Sequence, residues 1–128
     1  MAVLVLTLSA CGPAGTSAGF PAPERLGPDW TLRLSGPLPA DSAPAQYRQL
    51  GLRQAVRAEY AGAAPLTITA YEMTTGAGAF EAMQQWRPAP GRLAFHHEAW
   101  FVVLEASGVE TPVLAAAADE IEQAFGAR

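Results

Sequence analysis

The metal-ligating side chains that fall closest together in the chain are His96, His97 and Glu98. Two imidazoles and a carboxylate suit a catalytic zinc site, which normally takes three protein ligands and leaves one position open. The spacing works against that use. Adjacent strand residues point to opposite faces, so His96 and His97 share an ion only if a turn twists them together. Solvated residues at a hairpin tip, binding no stoichiometric zinc, are the plainer expectation. For nucleophilic catalysis the chain offers Ser35, Ser42 and Ser107, none of them in a Gly-x-Ser-x-Gly elbow. Glu59 and Glu72, close to Arg57 on the polar side of a sheet, read as surface ion-pair partners before an acid/base dyad. Thr74 to Ala79 has the form of a Gly-rich anion loop ahead of a helix. A Walker site needs a lysine, and all eight cations of this chain are Arg, so helix entry is its expected role. Trp86-Arg87-Pro88 supplies either a stacking, cation–π surface or a helix end that packs Trp86. No catalytic constellation, metal site or cofactor site emerges from these residues.

The elements that must position them follow from periodicity. Asp29 to Leu34 alternates, with Trp30, Leu32 and Leu34 on one face of a first strand, and the two prolines of Ser35–Ala40 break it. Asp41 or Ser42 caps a short helix with Pro44 in its first turn, Tyr47 and Leu50 inward and Gly51 as the stop. Residues 54–60 and 66–73 form a hairpin. Tyr60 opposite Leu66 places Val56, Ala58, Tyr60, Leu66, Ile68 and Ala70 on one face, and Arg57, Glu59, Thr67, Thr69 and Tyr71 on the other. A second hairpin joins 92–96 to 99–105 through a turn at His97-Glu98. Pairing Phe95 with Trp100 aligns Leu93, Phe95, Trp100, Val102 and Leu104. Its opposite face, with His96, Phe101 and Val103, is only half polar, so it either lies centrally in the sheet or meets something else.

A helix follows each hairpin. In 77–86, Ala79, Phe80 and Met83 recur at helical spacing, and Pro88 closes the helix. Thr111 and Pro112 open the last, whose inward stripe is Val113, Leu114, Ala117, Ile121, Ala124 and Phe125, while Asp119, Glu120, Glu122 and Gln123 face water. The expected fold is α+β: an antiparallel sheet of about five strands with helices packed on one face, in the order strand–helix, then hairpin–helix twice.

Composition limits the function. The chain has 128 residues, enough for one domain; half are hydrophobic and 16% charged, which excludes general disorder. A net charge of −4 argues against nucleic acid, which requires a basic stripe. One Cys excludes a disulfide framework. No apolar run reaches the roughly 20 residues needed to span a bilayer.

That single Cys follows a short apolar block, Met1 to Leu8. Leu8-Ser9-Ala10-Cys11 resembles the lipobox of bacterial lipoprotein signal peptides, in which small residues precede the cut and the cysteine thiol receives the lipid. No cation precedes the block, as an n-region would require, so a start codon assigned too late is expected. The resemblance implies export and a membrane anchor at Cys11 in the bacterial cell envelope. Gly12 in place of Asp offers no inner-membrane retention signal. Residues 12–28, rich in Gly, Pro, Ala, Ser and Thr, read as a flexible linker, and 29–128 as the folded domain.

Within Gln46 to Pro88, the residues Tyr47, Leu50-Gly51, Ala55, Tyr60, Thr67–Tyr71, Gly78-Ala79-Phe80 and Trp86-Arg87-Pro88 are similar to an uncharacterised domain of bacterial exported proteins. In that group a hairpin of the Trp100–Leu104 kind follows. The resemblance implies export and fold, and supplies no catalytic residue. Three uses compete: a non-enzymatic binding or scaffold domain; a small-ligand carrier using His96, Phe101 and Val103 with Trp86 and Arg87 as its surface; and a metal-dependent envelope enzyme built on His96, His97 and Glu98. The second sheet face is also a candidate homodimer surface.

Overall fold

A computed structural model of the chain describes residues 16, 17 and 19–126. The lipobox, Leu8 to Cys11, and Gly12 lie outside the described residues. In chain order the elements are β1 (Thr16–Ser17), β2 (Phe20–Pro21), β3 (Arg25–Leu26), β4 (Trp30–Leu38), a 3-10 turn (Ala40–Ser42), α1 (Ala45–Gln49), β5 (Leu52–Ala61), β6 (Leu66–Met73), α2 (Gly76–Gln85), β7 (Arg92–His97), β8 (Trp100–Glu105) and α3 (Thr111–Gly126). One six-stranded antiparallel sheet has the order β3-β4-β5-β6-β8-β7, and β1 pairs with β2 separately. The fold is α+β.

The first hairpin has the register that its alternation predicts: Tyr60 pairs with Leu66, Ala58 with Ile68 and Val56 with Ala70. In the second, the faces are as expected but the register differs by two residues. Phe95 pairs with Val102, and His97, still in the strand, pairs with Trp100. The turn is Glu98-Ala99, with Glu98 at φ 54°, a left-handed position that no Gly or Asn marks in the sequence.

β4 departs from expectation twice. It continues through Pro37 to Leu38, because past Thr31 β5 is the only strand among the described residues that pairs with it, and a proline on such an edge leaves no ladder hydrogen bond unmade. A bulge between Leu32 and Leu34 also shifts the register. One extra residue moves the following side chains to the other face, so Leu34, expected inward with Trp30, is instead half exposed. The short helix before β5 likewise differs. Ser42 bonds its hydroxyl to the Pro39 carbonyl at the 3-10 turn, and α1 begins only after Pro44, without a side-chain cap.

The helices, expected on one face, occupy both. α3 lays Leu114, Ile121 and Phe125 against Trp100, Val102 and Leu104. α1 and α2 lay Tyr47, Ala79 and Ala82 against Phe101 and Val103 on the reverse side. β8 runs between β6 and β7, so each of its faces needs a cover, and all five residues from Trp100 to Leu104 are buried. Within α2 the inward residues are Gly78, Ala79 and Ala82, while Phe80 is 48% exposed. Small residues there allow the helix to lie close on the sheet.

The boundary expected at residue 29 lies earlier. Phe20 and Leu26 are fully buried in the core, and the Phe20 ring lies 5.8 Å from both Trp100 and Phe125. The Tyr60 hydroxyl donates to the Pro23 carbonyl at 2.7 Å, fastening the same segment to the sheet. Two large apolar side chains suffice to order a stretch whose remaining residues are small, so residues 19–28 belong to the domain.

Candidate functional site

His96 and His97 diverge as adjacent strand residues must. The His96 ring meets the edge of Phe80 on α2, at 5.5 Å. His97 stacks on Phe125 of α3 at 4.9 Å, with a Glu122 oxygen 4.0 Å from Nδ1 and a Glu98 oxygen 4.0 Å from Nε2. The two rings belong to opposite faces of the sheet and do not converge on one ion. Among the described residues, no three His, Cys, Asp or Glu side chains are grouped as metal ligands.

The ligand surface expected around His96, Phe101 and Val103 is covered. Phe101 is fully buried and Val103 nearly so, and the Tyr47 ring sits 5.4 Å from Phe101. A strand apolar on both sides signalled a cover, and α1 and α2 supply it. Trp86 packs into the same cluster at the end of α2, where the guanidinium of Arg92, not Arg87, lies over its ring at 5.3 Å. Arg87 donates to the carbonyls of Gln84 and Trp86, closing the helix terminus. At the other end of α2 the Thr75 hydroxyl accepts from the Gly78 N–H at 3.1 Å, so the Thr74–Ala79 segment caps the helix with its own oxygen.

Past the helices the same face is open and polar. Arg57 pairs with Glu59 at 3.1 Å and Arg92 with Glu105 at 3.0 Å, and Thr67 and Thr69 lie between these pairs in register. These charges answer one another. Glu72 lies elsewhere, opposite Trp100 on the apolar side, where it accepts from Gln54 Nε2 at 2.6 Å and pairs with Arg53 at 4.0 Å, not with Arg57. The face offered as a candidate homodimer surface is therefore half occupied by α1 and α2. At the junction of the two halves Tyr71 lies against Tyr47, ring centroids 4.8 Å apart. Burial pushes the Tyr71 phenol up to about 12, and Tyr47 and Glu105 add to the rise. Tyr47 is also raised by burial, with Arg92 and Gln46 pulling against it.

On the opposite side is a site that the sequence did not single out. Two adjoining grooves, of about 310 and 380 Å³, share Asp29, Trp30 and Val113. The first runs between the 26–30 turn and α3, and the second continues past Ala64 toward Val109 and Glu110. Three contacts build them. The Gly27 N–H donates to Glu120 Oε1 at 3.0 Å, tying the turn to α3, so Glu120 does not simply face water. The Trp30 indole N–H donates to the Ala64 carbonyl at 2.8 Å. At Gly62 a Cβ would stand 2.5 Å from the Asp29 carbonyl, so only glycine lets the 61–65 turn close on Trp30. Val113, expected inward, is 43% exposed and forms one wall. An apolar residue left outward at the start of an otherwise amphipathic helix was the available signal, hidden because it fits the inward stripe equally well.

No family model, curated protein or solved structure matches the chain in comparison with known proteins.

Proposed function

We propose that this is a lipid-anchored domain of the bacterial cell envelope that binds or scaffolds rather than catalyses. The observation that carries the proposal is Leu8-Ser9-Ala10-Cys11 behind an apolar block, with the chain's only thiol at the position that takes lipid. The nine residue-to-residue steps from Cys11 to Phe20 span at most about 30 Å even when fully extended, which would hold the domain close to the bilayer. Binding is favoured over chemistry by the state of the polar groups. The arginines and carboxylates of the open sheet face are committed to each other, and the two histidines point apart. The apolar grooves beside Trp30 supply the kind of concavity that a binding role uses, and a small-ligand carrier would use them in place of the covered Phe101–Val103 surface.

The test is fractionation. Produced in a bacterial host behind a basic n-region, the wild-type chain should enter the membrane fraction and incorporate labelled fatty acid, and Cys11→Ser should do neither. Equal membrane retention of the variant would reject the anchor.

A further inference from the structure

The grooves beside Trp30 differ from two others on the surface in the sign of their charge. Among the described residues, their walls contain Asp29, Glu110 and Glu120 and no arginine. The groove at Arg92 also contains Glu105, and the one at Arg33 also contains Glu59, so each of those has both signs. Neither Asp29 nor Glu110 has an ion-pair partner among the described residues. The N-terminus of α3 contributes an opposing partial charge of about half a unit, which three carboxylates outweigh. Between the acids the lining is apolar, with Val113 standing exposed between two hollows.

The dimensions select the ligand. From Pro112 to Glu120, along the first groove, the helix rises about 12 Å, the length of roughly four residues of extended chain, and the second groove continues beyond Val113 to Glu110. In such a segment alternate side chains point the same way, so residues two apart can enter hollows on either side of Val113. We propose that this trough binds an extended cationic peptide segment, its alternate apolar side chains seated beside Trp30 and its Lys or Arg drawn to the carboxylates of Glu110 and Glu120 toward the ends and Asp29 between them. The assignment rests on the binding reading above for its role but not on the lipid anchor. Its test uses unlipidated chain, so failure here is distinct from failure of membrane attachment.

The full chain carrying Cys11→Ser, labelled with nitrogen-15, is titrated with the capped pentapeptide Lys-Leu-Ser-Leu-Lys. Saturable shifts are expected at the Trp30 indole N–H and the Val113 amide, with the Arg57–Glu59 face unmoved. The surface variant Asp29→Asn/Glu110→Gln should weaken binding on the order of fivefold, the size of one or two exposed ion pairs. A pentapeptide with Glu in place of Lys should produce no response. The proposal is overturned if the acidic peptide binds equally well, or if millimolar basic peptide leaves Trp30 and Val113 unmoved. Shifts that grow with protein concentration in the absence of peptide would instead give the trough to a second copy of this chain, and overturn it too.

Discussion

Each face of the sheet carries a core, yet the two are closed in different ways. One face is covered along its length by α3 and by residues 20–30, and its layer is aromatic and aliphatic: Phe20, Trp30, Trp100, Ile121 and Phe125. The other is covered at one end only, by α1 and α2, through residues as small as Ala79 and Ala82, and then opens onto paired charges. Volume drives the first closure and close approach drives the second. A cavity should therefore cost most on the α3 side, and added bulk most on the α2 side.

The largest effect short of unfolding is expected from Phe20→Ala, which empties a fully buried site between Trp100 and Phe125. A loss of about 3–5 kcal/mol in urea unfolding would mark residues 19–28 as part of the domain. A loss below about 1 kcal/mol would return them to a linker.

Gly78→Ala probes the other closure. Alanine gains about 1 kcal/mol in helix propensity over glycine. Here its Cβ would meet the Leu50 carbonyl at 2.7 Å and Met73 at 3.2 Å, so α2 must shift away from the end of α1 and the end of β6. A net destabilisation of about 1–2 kcal/mol is expected, and a stabilised variant would contradict close packing of α2.

The smallest effect compares a phenol from each face. Tyr60, on the α3 side, is raised above its usual value by burial, and Tyr71, at the edge of the α2 side, rises to about 12. A raised folded value means that the native state favours the neutral phenol. The resulting stability is complete below pH 10 and fades as pH climbs toward 12. Each of Tyr60→Phe and Tyr71→Phe should flatten that alkaline decline, measured as unfolding free energy against pH. Tyr60→Phe should also cost about 1 kcal/mol at neutral pH, because the Pro23 carbonyl loses its donor. An unchanged alkaline slope in Tyr71→Phe would show that this phenol is not buried against Tyr47.

Much of this was legible in the sequence, for identifiable reasons. Alternation fixed which side chains of residues 54–60 and 66–73 share a face, since a one-residue slip would turn the apolar set outward. Arg33 gave no sign of the bulge that turns Leu34 outward, because bulges of this kind need no special residue. Phe20 and Leu26 were submerged in a run of small residues and prolines whose composition outweighed two large side chains. Periodicity also says that a face is apolar without saying which helix covers it. Phe101 and Val103 marked a second apolar face, open to reading as a ligand or homodimer surface, and nothing local assigned α2 to it and α3 to the other. The Trp30 groove was least legible, because it is made where Gly62 closes on Asp29 and Trp30 and Gly27 bonds Glu120, contacts between segments distant in sequence.

Adjacent positions on β8 give the most direct test of a sheet with a core on each side. Val102 points toward α3 and Phe101 toward α1 and α2, and both are fully buried. Thermal unfolding of Val102→Asp and Phe101→Asp sets the two faces against each other, since each variant buries a carboxylate without a partner. Both chains should lose the cooperative transition of the wild type. A Phe101→Asp variant that stays folded, with a Tm near the wild-type value while Val102→Asp collapses, would contradict a second core beneath α1 and α2.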